Sequence, residues 1–215
     1  MRIVIISFLL IASVVVFWPQ AGGAVVTNDD ENTNMTALKT AIFAGGCFWC
    51  MESDFESFDG IPDVQSGYAG GHVENPAYKA VSQGGTGHRE VIQVTYNPAV
   101  IGYEKLLEIF WRNIDPFDDG GQFCDKGYQY TAAVFASNDE ERTLAESSKA
   151  ALEKRFGRAI VTEIVPVATF YPAEDYHQNY YKMHSWRYKY YRGRCGRDER
   201  LQEIWGNEAG GGATH

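Results

Sequence analysis

Cationic side chains are scarce in this sequence. Nineteen Lys and Arg stand against 28 Asp and Glu, a formal net charge of −9. A general nucleic-acid binder needs a basic footprint, so that class is excluded, and the acidic balance fits a soluble chain. Cysteine is also sparse, with four residues, Cys47, Cys50, Cys124 and Cys195. Haem attachment would need His after the second Cys of Cys47-Phe48-Trp49-Cys50, but Met51 stands there. A Cys₄ zinc site would be expected to carry a second Cys-x-x-Cys, and there is none, so no metal is expected. No internal repeat occurs, and strands and helices do not alternate in a strict βαβ rhythm. What remains is ordinary for a globular protein: 215 residues, 45% apolar, enough for one domain with a real core.

The start of the chain reads as a targeting segment. Met1-Arg2 is followed by apolar residues from Ile3 to Trp18, broken only by Ser7 and Ser13, and then by Pro19-Gln20-Ala21-Gly22-Gly23-Ala24. That order predicts a secretory signal peptide over 1–24, cleaved after Ala24, with an uncleaved membrane anchor as the alternative. Either outcome puts the folded part outside the cytoplasm, periplasmic or secreted, touching a membrane only through an uncleaved N-terminus. Residues 25–39 are polar and read as a flexible linker. The domain is expected over 40–205, and the Gly-rich 206–215 as a disordered tail.

Thr40 to Ala44 reads as a short buried strand ending at Gly45-Gly46. Met51, Phe55 and Phe58 recur at helical spacing, and Gly60 can close that helix. Ile92, Val94 and Tyr96 alternate on one face of a strand from Glu90 to Tyr96. Leu106, Leu107 and Phe110 mark a helix that must end before Pro116. Thr131 to Ala136 is a strand. Ser137 with Glu140 resembles a capping box for a helix that stops at Gly157. Ile160 to Phe170 is expected to hold one or two strands split by Pro166. The reading is an α+β single domain: a mixed central sheet, flanking helices, long loops and a ferredoxin-like core.

Gly45-Gly46-Cys47-Phe48-Trp49-Cys50 is the most informative stretch. A Cys-x-x-Cys pair in an exported chain points to redox chemistry more than to a structural staple. A free thiol has a pKa of about 8.5, and a helix N-terminus offers the partial positive charge that favours a thiolate. Cys47 falls at such a position. Phe48 and Trp49 beside it suggest a small apolar pocket. Singly, Glu90 would be a solvated edge carboxylate, His88 a structural histidine, and each tyrosine a packing group with a satisfied hydroxyl. The Tyr-, Lys- and Arg-rich stretch from Lys182 to Arg200 reads as solvated surface.

Taken together, these blocks resemble the A-type peptide-methionine sulfoxide reductases. The resemblance rests on Gly45 to Glu52, Ser66 to Gly71, Asn75 to Tyr78, Gly85 to Val91, Gly127 with Gln129-Tyr130, and Tyr176-His177-Gln178, in family order. It implies reduction of the S epimer of methionine sulfoxide, free or in oxidised proteins, to methionine. Cys47 would attack the sulfoxide sulfur and Glu90 would protonate its oxygen. Tyr78 and Tyr130 would hydrogen-bond that oxygen, Phe48 and Trp49 would cradle the methyl group, and Asp125 would help to organise the site. A second thiol would then resolve the Cys47 sulfenic acid, and an external dithiol such as thioredoxin would restore the enzyme without a bound cofactor. Cys195, in a Gly- and Arg-rich segment expected to be mobile, is favoured as resolver over Cys50, and Cys124 is expected to be a buried bystander. Cys50 stands where many members have Gly, and Cys195 lacks the common Gly-Tyr-Cys-Gly setting. The competing reading is an exported thiol–disulfide oxidoreductase using Cys47 and Cys50.

Overall fold

The computed structural model describes residues 37–212. The expected signal peptide, most of the expected linker and the last three residues lie outside them. Strand β1 (Lys39–Ala44) starts one residue before the expected domain boundary. β1 runs antiparallel to β3 (Arg89–Tyr96) on one side and to β6 (Ala133–Ala136) on the other. Its apolar run reflects burial on both faces. Ala41 and Phe43 enter the main core, while Ile42 and Ala44 join Ala69, Val91, Ala133 and Phe135 on the opposite face.

Strand β2 (Asp63–Ala69) pairs antiparallel with β3, and β7 (Glu163–Pro166) parallel with β6. A two-residue strand β8 (Tyr171–Pro172) closes the far edge, giving the order β7-β6-β1-β3-β2-β8, a mixed sheet. Helices α1 (Phe48–Phe55) and α3 (Tyr103–Arg112) connect the strands of the central order β6-β1-β3-β2, which is the β-α-β-β-α-β ferredoxin-like pattern. Between β2 and β3 lies the short α2 (Tyr78–Ser82), and ahead of β6 lies the hairpin of β4 (Gly121–Gln122) and β5 (Asp125–Lys126).

Several boundaries differ from expectation for local reasons. Helix α1 ends at Phe55, so Phe58 packs against the core from the following turn. Helix α4 (Asp139–Phe156) is capped one residue later than Ser137 predicts. Asn138 accepts from the Glu141 amide at 2.9 Å, and the Glu141 carboxylate accepts from the Ser137 amide at 2.8 Å. Gly157, at φ 62°, stops it as expected. Pro166 does not split a strand but ends β7, an edge strand, where a missing N–H is tolerated.

The C-terminal third is more ordered than the sequence suggests. Short α5 (Tyr180–Met183), α6 (Ser185–Arg194) and α7 (Arg197–Trp205) follow one another. They attach through Leu201 and Trp205, buried in the main core, and through charge. Asp54, fully buried on α1, accepts from Arg192 at 2.7 Å and from Arg197 at 3.2 Å. The two arginines are therefore not solvated surface. Nor is 206–212 a disordered tail: Glu208 pairs with Arg112 and Arg155, and Gly211 packs on Ile109 so closely that a Cβ would stand 2.9 Å from its Cα.

Candidate active site

The turn from β1 into α1 builds the site. Gly46 has φ +85°, and a Cβ there would stand 2.6 Å from Gln122 Cβ. A Cβ on Gly45 would stand 2.4 Å from Met51 Sδ. Only glycines let the chain turn this tightly. Cys47 is the residue that enters the helix, and its carbonyl accepts from the amides of Cys50 and Met51. The Phe48 amide, left unpaired at the helix start, donates to Glu90 Oε2 on β3 at 3.1 Å. Strand pairing and the glycine turn thus bring Glu90 and Cys47 to one place.

The pocket there has a volume of about 70 Å³ and is lined by Cys47, Phe48, Trp49, Tyr78, Glu90, Asp125, Tyr130 and Tyr191. The structure brings together all seven side chains expected in it and adds Tyr191. Glu90 is 2% exposed. Burial pushes its carboxyl up to about 8, and the Phe48 hydrogen bond only partly opposes this. Glu90 is therefore a carboxylic acid at neutral pH. Burial also pushes up the Tyr78 phenol, to about 12, and that of Tyr130, with the Glu90 charge second. Both keep their protons at neutral pH and are available as donors. Burial raises Asp125, which accepts from the Tyr191 hydroxyl.

The cysteines differ from expectation. The helix N-terminus does not dominate at Cys47; burial does, and it pushes the thiol up, helped by its hydrogen bond with Cys50. Cys50 is lowered, first by that hydrogen bond and then by the charges of Arg197 and Arg192. The pair is buried and free, roofed by Tyr188 on α6. Cys195 lies at a helix end and not in a loop. It caps the C-terminus of α6 and is bonded to Cys124, which is exposed and no buried bystander. Cys195 Sγ lies 4.0 Å from Asp125 Oδ2, so this disulfide sits at the pocket's edge.

Two supporting residues were missed. His177 is buried and accepts from Trp49 Nε1 at 3.1 Å, while the Trp49 ring stacks on Tyr180 at 3.7 Å. Burial lowers the His177 pKa, which suits a neutral acceptor. The other is Tyr191, the eighth wall of the pocket. Tyr188, Tyr191, Arg192 and Cys195 recur at helical spacing, the one signal in the sequence that could have found an inward face of α6. His88, expected to be structural, lies outside the pocket. Its ring accepts from the Gly71 amide at 3.1 Å and contacts the Val73 carbonyl at 2.7 Å.

A buried carboxyl and two phenols converge with the Cys47 thiol in one cleft walled by Phe48 and Trp49. Such a site can protonate an oxygen that is leaving an electrophile while sulfur attacks.

Comparison with known proteins gives a consistent result. The peptide methionine sulfoxide reductase family model matches residues 39–209. A protein called peptide methionine sulfoxide reductase MsrA from Halalkalibacterium halodurans is 53% identical over 171 residues, 79% of this chain and 97% of that relative. Among solved structures, reduced Mxr1 from Saccharomyces cerevisiae is similar with a TM-score of 0.66 at 36% identity, covering 69% of this chain and 86% of the other. Methionine sulfoxide reductase A of Corynebacterium diphtheriae gives 0.63 at 28% identity, covering 69% and 76%.

Proposed function

Because the chain belongs to the peptide methionine sulfoxide reductase family, we propose that the Cys47–Glu90 pocket is where it works. The enzyme reduces the S epimer of methionine sulfoxide, free or in proteins, to methionine. In this reading the sulfoxide methyl lies against Phe48 and Trp49. The oxygen accepts hydrogen bonds from Tyr78 and Tyr130 and a proton from Glu90. The observation that carries it is a buried carboxyl held at the amide next to Cys47, where burial favours its protonated form.

Cys47 attacks the substrate sulfur as its own proton passes to the Cys50 thiolate, with which it shares a hydrogen bond and which Arg197 and Arg192 favour. Oxygen transfers to Cys47, methionine leaves, and Cys47 is a sulfenic acid. Cys50, now a thiol, condenses with it, losing water and forming a Cys47–Cys50 disulfide. Cys195, favoured from sequence as resolver, is joined to Cys124; Cys50 is the free thiol in reach. An external dithiol of the thioredoxin class then restores the thiols by exchange, with no bound cofactor. The exposed Cys124–Cys195 pair beside Asp125 is the entry point for those electrons. The alternative, a general disulfide exchanger, leaves Glu90, Tyr78 and Tyr130 without a task. The apolar start of the sequence extends the proposal to repair outside the cytoplasm, which fractionating cells and sequencing the mature N-terminus would check.

The test is turnover of separated S and R epimers with dithiothreitol. Wild type is expected to consume only the S epimer, Cys47→Ser neither, and Cys50→Ser in one oxidising cycle to release one methionine per chain. S-epimer turnover that survives Cys47→Ser would refute the assignment.

A further inference from the structure

The Cys124–Cys195 pair stands next to a third potential ligand. Cys124 Sγ, Cys195 Sγ and an Asp125 carboxylate oxygen all lie within 4.8 Å of one another. The Cys195 sulfur is 4.0 Å from Asp125 Oδ2. Around a tetrahedral zinc ion, bond lengths of about 2.3 Å to sulfur and about 2.0 Å to oxygen put neighbouring ligand atoms roughly 3.5–4 Å apart. The sulfur–carboxylate edge already has that length. The sulfur–sulfur edge reaches it when the disulfide opens, with the two Cα atoms staying where they are, 4.9 Å apart.

We propose that reduction of the Cys124–Cys195 disulfide creates a site for zinc, or another soft divalent cation, formed by Cys124, Cys195 and Asp125. The surroundings suit such a site. The Cys124 amide donates to Cys195 Sγ at 3.2 Å, a bond that supports a thiolate. The Tyr191 hydroxyl donates to the same Asp125 Oδ2 that faces Cys195 and so holds the carboxylate in place, as outer partners of metal ligands do. Cys124 is exposed, which gives the ion an entry path and leaves the fourth position to water. The nearby cations are already paired, Lys126 with Asp118 and Arg197 with Asp54.

The redox step balances. A phosphine takes oxygen from water and becomes its oxide, and the two hydrogens go to the sulfurs. Zinc then displaces both thiol protons. Occupancy would hold both outer thiols and draw Asp125 away from the pocket, so dithiol-driven turnover would fall in zinc and recover with chelator.

Full-length protein reduced with tris(2-carboxyethyl)phosphine and then desalted without oxygen is titrated with zinc against a chromogenic chelator. One zinc per chain is expected in reduced wild type and in reduced Cys47→Ser/Cys50→Ser, and none in the oxidised protein. Cys124→Ser should lose binding, and Asp125→Asn should weaken it at least tenfold with an unchanged circular dichroism spectrum. Cobalt in place of zinc should give a thiolate charge-transfer band. Zinc bound equally by oxidised protein or by Cys124→Ser, unchanged affinity in Asp125→Asn, or no binding to reduced wild type would each overturn the proposal. None of these readouts depends on turnover, so they stand apart from the reductase assignment.

Discussion

Replacing Glu90 with Gln tests the protonated acid directly, through stability. The amide oxygen can still accept from Phe48, but the side chain no longer titrates. Glu90 ionises near 4.5 in the unfolded chain and near 8 in the fold, because burial opposes its charge. A group raised in this way stabilises the fold fully below its unfolded pKa, and that contribution is lost as pH rises through the folded pKa. At about 1.36 kcal/mol per pH unit, the loss is about 2 kcal/mol by pH 6 and about 5 kcal/mol by pH 9. Wild type should therefore lose roughly 3 kcal/mol relative to Glu90→Gln between those two pH values. The assay is denaturant unfolding of both proteins at each pH, with equal m-values as the control. Stability is the better readout than rate. The attack needs Glu90 protonated and Cys50 ionised to take the Cys47 proton, so a rate profile belongs to the coupled groups and not to any one of them. Parallel stability curves from pH 6 to pH 9 would mean an ordinary solvated carboxylate and would remove Glu90 as the acid. Turnover of the variant should fall by about 10²–10⁴.

Removing one phenol should cost a hydrogen bond to developing charge: Tyr78→Phe and Tyr130→Phe should each lower kcat/KM by about 10²-fold with little change in Tm. Asp54→Ala strands the buried Arg197 and Arg192, so a loss of about 3–5 kcal/mol is expected in chemical denaturation, and near-neutrality would show that the network contributes nothing. Gly46→Ala forces a Cβ to 2.6 Å from Gln122 at a positive φ, so we expect at least about 1–3 kcal/mol of destabilisation and slowed turnover as Cys47 shifts.

The parts of the fold that were legible in the sequence are those held by apolar contacts. Thr40 to Ala44, the alternation of Ile92, Val94 and Tyr96, and the stripe of Leu106, Leu107 and Phe110 each announce a buried face. Strand β2 gave no such signal, because Ser66 and Gly67 interrupt it. Gly67 is there for space: a Cβ would stand 2.4 Å from the Phe170 ring and 2.5 Å from the Tyr171 carbonyl. Helices α6 and α7 were hidden for another reason. Their buried faces mix apolar and charged contacts, Tyr188 with Arg192 on α6 and Leu201 and Trp205 with Arg197 on α7, so hydrophobic periodicity reads them weakly.

The site shows the same division between what is local and what is relational. Gly45 to Cys50 identifies a nucleophile within one turn of chain. Glu90 is an unremarkable strand carboxylate until pairing with β1 sets it at the Phe48 amide, and only then does burial make it an acid. Cysteine pairing is relational as well, since the partner of Cys195 lies 71 residues away and no local pattern points to it. The fold sorts four thiols into a buried couple under Tyr188 and an exposed couple at Asp125, with Tyr191 touching both settings. Two elements that the sequence left unread, α6 and the β4–β5 hairpin, supply that second couple. The chemistry of the first couple is thus written in one motif, while its connection to outside electrons depends on where a charged helix docks.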